Sequence, residues 1–381
     1  MKKFFSVATL VLFFLVCSSF AFADSNEALK QRIERLEQEL AALKTELAKK
    51  NEEKKESVLN KFSGKVELHG IIEVEGSYAK GFDESEESDI KLATAQLDVN
   101  AKLNDFVSGK ITFLWEEDET EPVDIDEAYI LIGNTEKFPL YIRAGKQYLP
   151  LGEFDTNMIS DPLTLELAEI NESALSLGFE KNGFFLEGSI FNGDVDKEDN
   201  VNDDLNHLDE FSIYGGYSGE FNGVSFTAWG GYLNNIADSD TISDTVPNTI
   251  DDYIDALCAN LAIDFQDITI YASYAGAVES FKKGELDFKN HGAKPRAWNI
   301  EAGYTMNLFN YDTTFAVGYQ GTDEAVDLEM PKSRYIGSIT VSLLENLSLA
   351  IEYAYDKDYD LSEGGTDEHA HTVTTQLHLE F

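Results

Sequence analysis

The sequence predicts an all-β protein, a transmembrane antiparallel β-barrel of about sixteen strands preceded by a short N-terminal α-helical coiled coil. Three observations carry this. The chain opens with an export signal, apolar and polar side chains take turns from Gly64 to Phe381, and short turns alternate with long polar connections over the same stretch.

Residues 1–23 form the signal. Lys2 and Lys3 precede an apolar run from Phe4 to Val16, and Ala21-Phe22-Ala23 offers the small-residue exit that cleavage requires. Cys17 follows Val16, where a lipid-attachment signal wants a small residue, so a lipoprotein is the less favoured alternative. The mature chain then keeps Cys258 alone, which excludes an internal disulfide and a cysteine-based zinc cluster. No later stretch approaches the roughly 18 to 20 apolar residues of a helical span, so a membrane would have to be crossed by strands.

Residues 24–50 carry a heptad seam. Leu29, Ile33, Leu36, Leu40, Leu43 and Leu47 alternate spacings of four and three, the pattern of a coiled coil. The flanking pairs Arg32 with Glu37 and Glu39 with Lys44 favour parallel self-association; a single amphipathic helix lying on its own barrel is the alternative. Residues 51–63 are charged and read as a linker.

From Gly64 the period becomes two. In the first segment Val66, Leu68, Ile72, Val74 and Tyr78 alternate with Glu67, His69, Glu73, Glu75 and Ser77. The next file is Ala93, Ala95, Leu97 and Val99, followed by Val107, Ile111, Phe113 and Trp115, and similar files recur to Val373, Leu377, Leu379 and Phe381. Each covers about 9 to 11 residues, enough for a tilted strand to cross a bilayer. Only the strand near 125–132 has an ambiguous phase. Short turns, such as 104–105, 134–137, 266–267 and 345–346, are separated by long polar connections, a rhythm that barrels in the outer membrane keep and soluble sandwiches have no reason to keep. The expected location is therefore the outer membrane, with the coiled coil in the periplasm.

The barrel segments hold 64–381, and their inward residues would line water. Glu67, His69, Glu73, Glu75, Asp98, Glu116, Glu187, Glu301 and Glu352, against Lys110, Arg143 and Arg334, are the candidate pore-lining side chains, and their balance predicts a cation preference. They could equally pair with one another and only keep the lumen wet. The connection from Pro150 to Asn171 is too apolar to stand in water, so Phe154, Met158, Asp161 and Leu165 are candidates for a loop folded into the mouth, or packed on a neighbouring subunit.

The chain carries 71 acidic and 29 basic residues, a formal charge of -42, which argues against nucleic acid. Asp194, Asp196 and Glu198 loosely resemble a calcium loop, but Asp199 stands where the turn glycine is expected, so a solvated acidic loop is favoured and no other cofactor is implied. With six histidines and no nucleophile-elbow or zinc-helix motif, the sequence argues against catalysis.

Several segments are distinctive: Gly64-Lys-Val-Glu-Leu-His-Gly-Ile-Ile-Glu-Val-Glu75, Asp124-Ile-Asp-Glu-Ala-Tyr129, Gly133-Asn-Thr-Glu-Lys-Phe-Pro-Leu140, Ala144-Gly-Lys-Gln-Tyr-Leu-Pro-Leu-Gly152, Asn157-Met-Ile-Ser-Asp-Pro-Leu-Thr-Leu-Glu-Leu167 and Phe191-Asn-Gly-Asp-Val-Asp196. Together they resemble the LbtU family of siderophore porins, over essentially the whole mature chain. The resemblance implies uptake of a ferric siderophore without a plug domain, for which the stretch before Gly64 leaves no room. A general diffusion porin, and an envelope tether built on the coiled coil, remain alternatives. The expected partners are outer-membrane lipid, a small solute or ferric siderophore, and further copies of the chain in a homo-oligomer such as a trimer.

Overall fold

The computed structural model describes residues 65–117, 122–149, 154–198 and 208–381, together with Lys44. The chain divides into units of residues 1–64 and 65–381; the export signal and the coiled-coil core from Leu29 to Leu47 lie outside the described residues.

Among the described residues sixteen strands close into one antiparallel barrel. They are β1 (Val66–Lys80), β2 (Glu86–Asn104), β3 (Val107–Trp115), β4 (Asp124–Asn134), β5 (Phe138–Tyr148), β6 (Asn171–Lys181), β7 (Phe184–Phe191) and β8 (Glu210–Phe221), then β9 (Val224–Leu233), β10 (Ala256–Phe265), β11 (Ile268–Ala277), β12 (Arg296–Leu308), β13 (Tyr311–Asp323), β14 (Ser333–Leu344), β15 (Leu347–Lys357) and β16 (His369–Glu380). Each strand pairs with its neighbour in sequence, and β1 pairs with β16 to remove both edges. The last residue completes the seam: Phe381 and Gly70 exchange backbone hydrogen bonds of 2.8 and 2.9 Å. Its ring lies over Gly70, where a Cβ would come within 2.5 Å of it.

Pairing places the apolar files side by side on the outer wall, as in Ile339 opposite Ile351 and Leu349 opposite Leu377. Two registers differ from simple alternation. Across β1 and β2 the pairing passes from Glu73 with Thr94 to Val74 with Leu92, so Ala93 sits in a bulge and the outward file runs through Ile90 and Leu92 before resuming at Ala95. Across β3 and β4 it passes from Thr112 with Glu127 to Phe113 with Ile125. The extra residue, Asp126, lets Ile125 and Ile130 both face outward while Glu127 faces in, which resolves the phase the sequence left ambiguous. Strand lengths also spread more widely than a uniform span, from 8 residues in β7 to 19 in β2.

Short turns and long connections alternate as the sequence predicts, but the long connections are not simply polar. Ile236, Ile242 and Ile250 are fully buried between the connections after β7 and β9, where residues 196–197 form a two-residue parallel pairing with 249–250. A second packed cluster joins the later connections: the Phe288 and Tyr359 rings stand 6.1 Å apart edge to face, and the Tyr359 hydroxyl lies 2.7 Å from Thr322 Oγ1. Burying these side chains stabilises each by about 1.5 to 3 kcal/mol relative to exposure, enough to fold a loop that would otherwise stay open.

Candidate functional site

The connection between β5 and β6 turns into the barrel. After Phe154 it crosses the lumen, meets β12 to β15, and returns along β11 to β13 through a short helix, α1 (Leu163–Ala168), that starts after Pro162. Its anchors are inward side chains of the far wall. Glu301 accepts hydrogen bonds from Thr156 Oγ1 (2.8 Å), Asn157 N (2.6 Å) and Asn157 Nδ2 (3.0 Å). Glu352 accepts from Ile159 N (2.6 Å) and Ser160 Oγ (2.5 Å). Ser338 Oγ donates to Asn157 O, Leu163 N donates to Gln320 Oε1, and Thr164 Oγ1 lies 2.7 Å from Ser273 Oγ.

The wall that receives the loop is built for it. Inward positions there are small, with Ala275, Ala297 and Ala316 fully covered, so α1 can lie where long side chains would stand. Arg334 reaches Asp356 (2.9 Å) and Glu166 of α1 (3.4 Å), tying the helix to β14 and β15. From the open end a further helical turn, α2 (Asp240–Ser243), covers the loop: Thr241 Oγ1 donates to Glu166 O (2.6 Å) and Asp240 N to Glu169 O (3.0 Å). Burial, then the neighbouring Asp240 and Asp161, push the Glu169 carboxyl up to about 7, and burial pushes Asp240 up to about 6.

The opposite wall keeps long polar side chains. Glu73 lies 2.8 Å from His378 Nδ1 and Glu75 accepts from Gln376 Nε2 at 2.9 Å, while Glu67 and His69 are exposed near the short-turn end. Lys110 bridges Glu127 (2.5 Å) and Asp98 (3.9 Å). Arg143 pairs with Glu187 at 2.6 Å, stacks 5.5 Å over Tyr129, and shares Glu187 with the Tyr141 hydroxyl.

The outer surface decides what surrounds this lumen. Val317 is 67% exposed, Leu177 58% and Ile130 56%, part of an apolar belt around the wall far larger than water tolerates but suited to lipid. A family described as Gram-negative porin matches residues 7–376. The chain belongs to the Gram-negative porin family. Its described residues form an outer-membrane β-barrel of the porin type.

Curated relatives of this porin include a UPF0422 protein of Coxiella burnetii, 28% identical over 77% of the chain, and one of Legionella pneumophila strain Philadelphia 1, 28% identical over 83%. The chain spans 65% and 66% of the lengths of those two relatives. Solved structures with the same fold include the anion-selective porin of Comamonas acidovorans, with a TM-score of 0.58 at 12% identity over 83% of this chain and 99% of that one. Another is OprB of Pseudomonas putida, with a TM-score of 0.58 at 11% identity over 85% and 96%.

Of the residues singled out from the sequence, Glu67, His69, Glu73, Glu75, Asp98, Lys110, Arg143, Glu187, Glu301, Arg334 and Glu352 occupy inward positions. Glu116 follows the last residue of β3 and lies half-buried in the connection, where its charge adds to the burial-driven rise of the Glu169 carboxyl. Phe154 packs edge-on to Trp229 at 5.8 Å, Met158 stands beside Gly318, Leu165 is half-buried and Asp161 exposed. Asp194, Asp196 and Glu198 do not gather: Asp196 N and Glu198 N bond to Asn248 O and Ile250 O, stretching the segment as a strand. Among the described residues no set of three acidic, histidine or cysteine side chains converges as a cation site would require. Glu127, Gln320 and Ser338 went unnoticed in the sequence, the first because of the bulge and the others because single polar residues in a strand carry no signal of what they hold.

Proposed function

We propose that this porin is a diffusion channel narrowed by its inward connection, that small hydrophilic solutes pass between that loop and the charged wall of β16 and β1 to β4, and that cations are preferred. The observation that carries the reading is the anchoring of residues 156–160 on Glu301 and Glu352 across the lumen. A loop held by charge-assisted bonds to two strands of the far wall is a fixed restriction. Ferric siderophore is the solute we favour. Its support is the resemblance of residues 144–152 and 157–167 to the LbtU family, since 144–148 end the strand before the loop and 157–167 lie in the loop itself.

Liposome swelling with sugars, amino acids and ferric chelates tests both parts. Entry of a ferric chelate ahead of neutral solutes of equal size, with loss of growth on that chelate in an iron-limited deletion strain, is the expected result. Uptake ordered by size alone would reduce the channel to a general porin. The OmpT structure of Vibrio cholerae is described as a trimer form; a homotrimer is our reading here too, with residues 1–23 removed on export and 24–50 forming a parallel periplasmic coiled coil. Cross-linking of the mature chain with and without residues 24–60 tests it.

A further inference from the structure

The inner wall of β4 to β10 encloses a cavity of about 480 Å³ beside the diffusion path, closed on one side by the start of the inward loop. One face of it is aromatic. Phe185 and Tyr214 stand 5.7 Å apart, Tyr214 meets Trp229 edge to face at 6.2 Å, and Phe154 meets Trp229 at 5.8 Å. The faces of such rings are the negative poles of their quadrupoles and attract cations.

The charged groups around the cavity divide in a telling way. Arg143 is matched by Glu187 and Glu127 by Lys110, so neither cation is open to an anion. Asp155 and Glu180 line the same cavity, and among the described residues no basic side chain forms an ion pair with either. Surplus carboxylate beside aromatic rings is an arrangement that recognises an organic cation. A neutral sugar would use only the rings, and an organic anion would be repelled.

We infer that this cavity is a binding site for organic ammonium solutes, an amine joined to an aromatic or apolar body, held by the carboxylates of Asp155 and Glu180 and by the rings of Trp229 and Tyr214. The volume falls in the range of roughly 300 to 1,000 Å³ that small-molecule sites occupy. The inference rests on the channel reading only for its consequence, that a bound amine slows the current; the binding itself does not.

The full-length porin in planar bilayers, challenged with phenethylammonium, 2-phenylethanol and phenylacetate, provides the test. Phenethylammonium should interrupt the potassium current at concentrations at least about tenfold below the other two. The double variant Asp155→Asn/Glu180→Gln, referred to its own open current, should raise the half-blocking concentration by about tenfold, the loss of roughly 1.4 kcal/mol of attraction. Equal block by the three probes, or block by the amine unchanged in the variant, overturns the site. Absence of any conductance would instead overturn the channel reading. In that event fluorescence in detergent still decides the site, because Trp229 lines the cavity whereas Trp115 and Trp298 belong to outward files. Phenethylammonium should perturb the emission of the parent protein and not of Trp229→Phe; no perturbation in the parent protein overturns the proposal.

Discussion

Glu301 and Glu352 turn a flexible connection into part of the barrel. Each accepts several hydrogen bonds from the loop, and a bond to a charged acceptor contributes about 1.5 to 3 kcal/mol when its partner would otherwise be buried unpaired. Glu301→Ala and Glu352→Ala should therefore release residues 156–160, raising single-channel conductance and its noise; an unchanged conductance in both would mean that the loop is held elsewhere. The pair Glu169 and Asp240 acts in the opposite sense. With folded-state values of about 7 and about 6, both lie above the ordinary carboxylate range, so the folded loop binds more protons than an unfolded one. Stability of this contact is greatest below the ordinary carboxylate range and declines as pH climbs to about 7. Protection from hydrogen exchange across 163–170 and 240–246, taken relative to the base-catalysed intrinsic rate at each pH, should be greater at pH 5.5 than at pH 8, and the reverse order would refute this. The alternation in sequence revealed that Glu301 and Glu352 point inward. It could not reveal that they hold a loop more than a hundred residues away, because that partner is chosen by the closure of the barrel.

At the level of elements, strands and turns were legible because each is coded locally: period two for the wall, and Asn, Asp and Gly at the turns. Bulges were not, since one extra residue shifts the phase without altering composition. The bulge at Asp126 has a counterpart in β5, where Gly145 has φ of 138° and a Cβ would come within 2.1 Å of Ala128 O. Gly145→Ala should destabilise pairing of β4 and β5 and lower the temperature at which the barrel loses its folded mobility on a detergent gel, whereas an unshifted transition would show that the wall yields. The small inward residues of β11 to β13 were a readable sign that something packs there. Set beside the long charged inward residues of β1 to β4, they separate the wall that carries the loop from the wall that faces water.

Selectivity belongs to the whole molecule. Of the inward carboxylates, Glu187 serves Arg143, Asp98 and Glu127 serve Lys110, and Glu301 and Glu352 serve the loop. Glu67, Glu73 and Glu75 of β1, the last two touching only His378 and Gln376 rather than a lysine, an arginine or the loop, form the acidic row along the open wall. Changing all three to Gln should move the reversal potential in a salt gradient toward zero. A potential unmoved by the triple change would place selectivity in the external acidic connections, whose influence fades as salt shortens the screening length.

The sequence by itself determined a barrel of about sixteen strands, the two faces of the wall outside the bulges at Ala93 and Asp126, and the place in the outer membrane, because a membrane imposes one repeated rule on every strand: apolar toward lipid, polar toward water, all backbone groups paired. Which inward charges stay open to the lumen and which are consumed as anchors was decided only in the closed barrel. That outcome depends on side chains brought together across the lumen by ring closure, such as Asn157 with Glu301 or Arg143 with Glu187, and no local pattern along the chain records their meeting.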